Sequence, residues 1–240
     1  MIGKFIILFN FGEMKSMNKI VISVGGSIVN PGNPDITFIK SLSSMLKELR
    51  PDMLGIVVGG GRPARTYVDA MREMGSDNYS MDLAGIMATR MNAMMLISAM
   101  GIDQKTIPET IGEAHDILLS NKIVVMGGTV PGHTTDTVAT LLAESCGAET
   151  VYNMTSVDGV YDSDPKISKS AKMFDKLDYR EAFEISLKSY TGAASNQFMD
   201  SVSLLIAMRS KIKICIFSGT DLQNARSAFN GKKFKGTVIG

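Results

Sequence analysis

Five apolar runs rich in Val and Ile constrain this chain more than any other feature. They are KIVISVGGS (19–27), MLGIVVGGGR (53–62), KIVVMGGT (122–129), ETVYNMTSVDGVY (149–161) and KIKICIFSGT (211–220). Their apolar residues follow one another without polar alternation, which suits strands buried on both faces of a sheet. Segments with helical periodicity lie between and after them, at 35–50, 63–74, 81–100, 136–146, 197–210 and 221–229. In the first, Ile36, Ile39, Leu42, Leu46 and Leu49 recur at helical spacing, and the pattern stops at Arg50 before Pro51. Strands alternating with helices predict an α/β fold built on a mainly parallel sheet.

At 240 residues the chain can bury a sizeable core in one domain. The polar stretch 161–178 contains a proline and reads as a long surface loop, a candidate boundary between two lobes. The first 16 residues precede MNKIVISVGGS, which opens on a strand from Met17. They are expected to be an optional or non-native extension ahead of one domain spanning 17–240. Their apolar run, 5–11, is too short to cross a bilayer, and no small-residue cleavage site follows it.

Net charge is +1, so no global field draws the chain to nucleic acid or to a membrane surface. An anionic ligand would have to be met by a local site. Cys146 and Cys215 stand apart, without a CxxC, and argue for neither a disulfide scaffold nor a zinc centre. A reduced cytoplasm is the expected setting, and most of the 18 methionines should be core filler.

Three of the five runs end in glycine: Gly25-Gly26, Gly59-Gly60-Gly61 and Gly127-Gly128. In a parallel sheet those ends lie on one edge, where ligands bind. Glycine lets backbone approach a phosphate closely, and a following helix N-terminus points N–H groups at it. Three such loops point to a phosphate-rich ligand. From Gly127 the chain reads G-x-x-x-x-G-H-T, the spacing of a P-loop with His133 in place of lysine. A neutral imidazole and Pro131, which has no N–H, make a poor phosphate cradle. With two further loops present, a different architecture fits better than a damaged P-loop. Asp136 has two readings here, a plain helix cap or a carboxylate that holds catalytic cations in place.

Arg62 and Arg65 fall on one face at a helix N-terminus, where positive charge opposes the dipole. An anion between them would explain the pair; a solvated surface pair is the alternative. TSVDGVYDSDP carries Asp158, Asp162 and Asp164 without EF-hand spacing, and Asp158-Gly159 suits a turn. Tyr161 offers a flat ring to a base, or simply packs. His115 has no partner pattern around it.

Together VGGS, VVGGGRPAR, MDLAGIMATRMNAMML, VMGGTVPGHTTDTVATLLAE, TSVDGVYDSDP and the terminal GTVIG resemble the amino acid kinase family, over nearly all of the chain from Asn18. The loop GG-x-x-PGHTTD and the segment D-x-x-G-x-x-x-T-R-x-N-A look most like its uridylate (UMP) kinase branch in archaeal form. The resemblance implies a three-layer αβα sandwich around one largely parallel sheet. It implies an acceptor-binding N-terminal lobe, an ATP-binding C-terminal lobe and a homohexamer. The implied reaction moves the γ-phosphoryl group of ATP, with magnesium, onto UMP in pyrimidine nucleotide biosynthesis.

Carried onto this chain, the resemblance puts ATP phosphates at Gly26, Ser27, Gly61 and Arg65, and adenosine at Thr155, Ser156, Tyr161 and Asp164. It puts UMP at Gly60, Asp82 and the loop of Thr129, Val130, Pro131, Gly132, His133, Thr134 and Thr135. Asp82 would accept ribose hydroxyls, and Asp136 would organise the centre beside Arg65. Relatives often carry lysines where this chain has Ser23, Ser156 and Leu205, and Arg62, Arg65 and Lys213 are the candidate replacements. Two other readings stay open: a carboxylate or carbamate kinase of the same fold, and a non-catalytic nucleotide-binding or storage protein.

Overall fold

The computed structural model describes residues 18–163, 165, 167–190 and 198–240. Its strands are β1 (Lys19–Val24), β2 (Met53–Val58), β3 (Ile123–Met126), β4 (Thr150–Thr155), β5 (Lys176–Leu177), β6 (Lys213–Ser218) and β7 (Thr237–Ile239). They form one seven-stranded sheet in the order β3-β2-β1-β4-β6-β7-β5. β1, β2, β3, β4 and β6 pair in parallel, with Ile22 level with Ile56 on one side and Tyr152 on the other. β7 runs antiparallel to β6 and parallel to β5.

The helices are α1 (Gly26–Val29), α2 (Ile36–Leu49), α3 (Gly61–Glu73), α4 (Asn78–Met100), α5 (Ile111–Asn121), α6 (Thr135–Cys146), α7 (Tyr179–Tyr190), α8 (Ser201–Ser210) and α9 (Leu222–Phe229). α5, α6, α7 and α8 cover one face of the sheet, where Val21, Val57, Val124, Val151 and Ile214 meet Leu118, Leu142 and Leu204. α1, α2, α4 and α9 cover the other, where Ile20, Ile22, Ile56 and Phe217 meet Leu42, Leu46, Leu96 and Phe229. Alternate residues of each strand therefore enter different cores. That is why the runs are apolar throughout, each large buried side chain contributing about 2 kcal/mol. The result is the expected three-layer αβα sandwich.

α2 starts where Asp35 accepts the Phe38 N–H, and it stops where Arg50 turns left-handed at φ +43° ahead of Pro51. α4 begins three residues earlier than its apolar pattern, at an Asp77 cap that accepts the Ser80 N–H. By length and composition alone α4 could cross a membrane. Here Ile86, Ala93, Leu96 and Met100 pack it into the sandwich. α6 is capped by Thr134, whose extended backbone frees its hydroxyl to accept the Thr137 N–H. Asp136 is one residue inside the helix, so its plain-cap reading is wrong. α8 starts at Ser201, where Asp200 caps it; residue 197, where the helical pattern begins, lies outside the described residues.

The described residues of the stretch 161–178 carry more pairing than a loop reading implies. Tyr161 bridges Met173 antiparallel, the Phe174 N–H bonds the Val160 carbonyl at 2.9 Å, and β5 closes the segment. Residues 1–16 and Asp164 lie outside the described residues, so the extension and that adenosine contact have no structural account.

Candidate active site

The parallel strands all point their carboxyl ends at one edge, which gathers the glycine loops. The loop after β1 and the loop after β2 touch backbone to backbone. A Cβ on Gly26 would lie 2.1 Å from the Gly61 nitrogen, so no side chain fits there. Gly61 itself sits at φ +66°, which glycine adopts without strain. The Gly59 N–H bonds Val24 at 2.9 Å, and the Arg62 N–H bonds Asn30 at 3.1 Å. β4 joins from the other side, through the Gly25 N–H to Met154 at 2.8 Å.

α4 braces two of these loops. Asn92, 3% exposed, donates through Nδ2 to the carbonyls of Gly59 and Gly60 at 2.7 and 3.0 Å. One turn earlier, the Thr89 hydroxyl accepts the Gly128 N–H at 2.6 Å. Arg90 donates to the carbonyls of Gly128 and Thr129 at 3.2 and 3.3 Å and pairs with Glu109. Nearer the start of the helix, Asp82 Oδ2 accepts the Gly132 N–H at 2.8 Å. The sequence motif D-x-x-G-x-x-x-T-R-x-N-A is therefore one helix face carrying side chains that hold the loops after β2 and β3. Asp82 was singled out from the sequence; the anchoring work of Thr89, Arg90 and Asn92 was not, although their helical spacing was readable.

Asp136 lies in the first turn of α6, half-buried. It accepts from the Ser23 hydroxyl at 2.8 Å. Burial pushes its carboxyl up to about 6, and the charge of nearby Asp200 adds to this; bonds from Ser23 and Asn153 oppose it. A carboxyl raised in this way beside glycine loops makes Asp136 a candidate site residue. Asp200 was missed in the sequence because its place ahead of an apolar segment suggests nothing beyond a cap.

Ser27 follows Gly26 in α1, and Arg65 is exposed on α3 with Arg62 one turn back. Neither arginine has an ion pair among the described residues, so both are free to meet an anion. Thr129, Val130, Pro131, Gly132, His133, Thr134 and Thr135 run from the end of β3 into α6, with Gly132 at φ +83°. Thr155 and Ser156 stand at the end of β4. Tyr161 lies further on, in its bridge to Met173. One candidate replacement for the missing lysines needs correcting. Lys213 opens parallel strand β6, and so lies at the opposite edge from the glycine loops. Leu205 is 45% exposed on α8; that helix meets the site through Asp200.

A family model, the amino acid kinase family, matches residues 18–218. The chain belongs to the amino acid kinase family. Within it, the chain is 46% identical over 217 residues to the uridylate kinase of Thermoplasma volcanium, covering 90% of this chain and 95% of that one. It is 41% identical over 222 residues to the uridylate kinase of Archaeoglobus fulgidus, covering 92% and 99%. The crystal structure of the Archaeoglobus fulgidus uridylate kinase superposes with a TM-score of 0.82 at 38% identity, over 92% of this chain and 100% of that one. The UMP kinase of Bacillus anthracis shares the fold, with a TM-score of 0.76 at 23% identity over 94% and 97%. In this amino acid kinase family member, the glycine edge, the braced loops and Asp136 form one continuous candidate site.

Proposed function

We propose that this chain is a UMP kinase, moving the γ-phosphoryl group of ATP to UMP and releasing UDP and ADP. Its near-full-length similarity to uridylate kinases carries the reading.

In this reading ATP phosphates lie on the backbone of Gly26 and Gly61, with Ser27 and Arg65 adding a hydroxyl and a fixed positive charge. Thr155, Ser156 and Tyr161 line the adenosine side. UMP lies against Gly60 and the 129–135 loop. Asp82 holds that loop through Oδ2, which leaves Oδ1 for a ribose hydroxyl. A phosphate oxygen of UMP attacks the γ-phosphorus in line as the bond to the β-phosphate oxygen breaks. No side chain is phosphorylated. The protein's part is alignment and charge neutralisation, which is most of what phosphoryl transfer needs.

Magnesium would enter with ATP. No group of three His, Cys, Asp or Glu side chains able to cage an ion exists among the described residues. An ion held mainly by nucleotide phosphates and water needs no such cage, and there it would neutralise charge. Asp136 organises the centre through Ser23 and the start of α6.

The N-terminal half of the sheet then serves the acceptor and the C-terminal half serves ATP, whose phosphates reach across to Gly26 and Gly61, and the setting is cytoplasmic pyrimidine nucleotide synthesis. We assign a homohexamer as the working form. Exposed Leu83, Met87, Met91 and Met94 on α4, with Tyr67 and Met74 on α3, offer an apolar face for contact between copies. Phosphorus NMR of ATP, magnesium and UMP with the protein tests the reaction: UDP and ADP must appear together in equal amounts. ADP with inorganic phosphate would mean hydrolysis instead.

A further inference from the structure

Asp200 is only 4% exposed. Its Oδ1 accepts the N–H groups of Val202 and Ser203, both at 2.9 Å, as any helix cap would. The rest of its bonding exceeds a cap's needs. Oδ1 also accepts from the Thr137 hydroxyl at 2.9 Å, and Oδ2 accepts from the Thr134 hydroxyl. Thr134 caps α6 and ends the loop that begins at Thr129. One buried carboxylate thus starts α8 and clasps the start of α6. The backbone leading to it is pinned as well, with the Phe198 carbonyl accepting from Asn153 at 3.3 Å and the Met199 carbonyl from Ser186 at 2.9 Å. Burying a carboxylate is costly unless it is fully hydrogen-bonded, whereas a Ser or Asn would cap α8 at less cost. The charge calls for a second role.

We propose that Asp200 is a positioning residue of this site: by gripping Thr134 and Thr137 it sets where the 129–135 loop ends and how Asp136, lying between them, faces the glycine loops. The inference rests on the UMP kinase reading above, in which that loop holds the acceptor. Asp200 touches no reacting atom and acts through Thr134 and Asp136. Its charge also reaches Asp136. The groups acting on Asp136 are Ser23 from β1, Asn153 from β4 and Asp200 from α8. β2 brings no titratable side chain, and α5 brings Glu113, His115 and Asp116, of which Glu113 is occupied in its own capping box.

The test is steady-state turnover of ATP and UMP from about pH 5 to 9, with wild type, Asp200→Asn and Thr137→Val. Asparagine keeps the α8 cap and removes the charge; the valine keeps Asp200 and removes one grip. For Asp200→Asn, kcat should fall roughly 10²-fold while the KM for ATP holds. Its acid limb should move to lower pH, because a negative charge beside Asp136 has gone. Thr137→Val should lose kcat with the acid limb little moved, and it decides the matter if Asp200→Asn does not fold. Normal kcat in either folded variant overturns the proposal, and so does an unmoved acid limb in Asp200→Asn. A wild type that does not turn over UMP overturns the functional reading and this inference with it; an active wild type with unaffected variants overturns the inference alone.

Discussion

Ser23, one residue before the carboxyl end of β1, donates a hydrogen bond of 2.8 Å to Oδ1 of Asp136 in the first turn of α6. The bond ties the middle strand of the glycine edge to the helix that follows the acceptor loop. It also favours the ionised carboxylate against the burial that opposes it. Ser23→Ala should therefore push the Asp136 carboxyl higher and move the acid limb of kcat/KM to higher pH. A pH–rate profile checks this; a limb that stays in place would show that Asp136 does not govern it.

Asp136 should also leave a mark on stability. Its folded-state value is about 6, above the 3.8 of a free aspartate. The contribution of such a group is complete below the unfolded value and is lost as pH rises through the folded one. At about pH 7.5 the ionised group then costs roughly 3 kcal/mol. Asp136→Asn should thus be more stable than wild type there, with the gap closing near pH 4, while activity is lost. Urea unfolding at both pH values reads the difference, and a variant less stable at the higher pH would contradict it.

The five parallel strands were legible because burial on both faces leaves a short run rich in Val and Ile, and turn residues bound it. β5 and β7 were not, being two and three residues long with no room for a pattern. α5 was missed although it carries a legible start, the box in which Thr110 and Glu113 cap each other. α7 opens similarly, with Asp178 and Glu181 exchanging bonds of 2.8 Å. The glycine edge could be inferred from strand direction alone. The bracing side chains could not, because Thr89, Arg90 and Asn92 act on backbone 30 to 40 residues away in sequence.

Asn92 holds the carbonyls of Gly59 and Gly60 and accepts from Asn30 at 3.2 Å. Asn92→Ala would strand these groups in the interior at a cost of about 2 to 4 kcal/mol. The loop it braces serves both nucleotides in this account, so the KM values for ATP and UMP should rise together. Denaturation midpoints alongside kinetics check this. Lost stability with both KM values unchanged would make Asn92 a core residue only.

Asp82→Asn separates a nucleotide acceptor from the smaller acceptors of the same fold. Losing a charged partner to a ribose hydroxyl should raise the KM for UMP by about 10- to 100-fold and leave that for ATP alone. Equal effects on the two nucleotides would mean that Asp82 acts only by fastening Gly132.

The most direct measurement is coupled ADP release with ATP and magnesium, across UMP, CMP, dUMP, acetylglutamate, aspartate and carbamate. The account predicts turnover with UMP and none with the carboxylate or carbamate acceptors. Measurable ATP binding with no turnover on any acceptor would contradict it and would mark the chain as a nucleotide-binding protein that has lost the reaction.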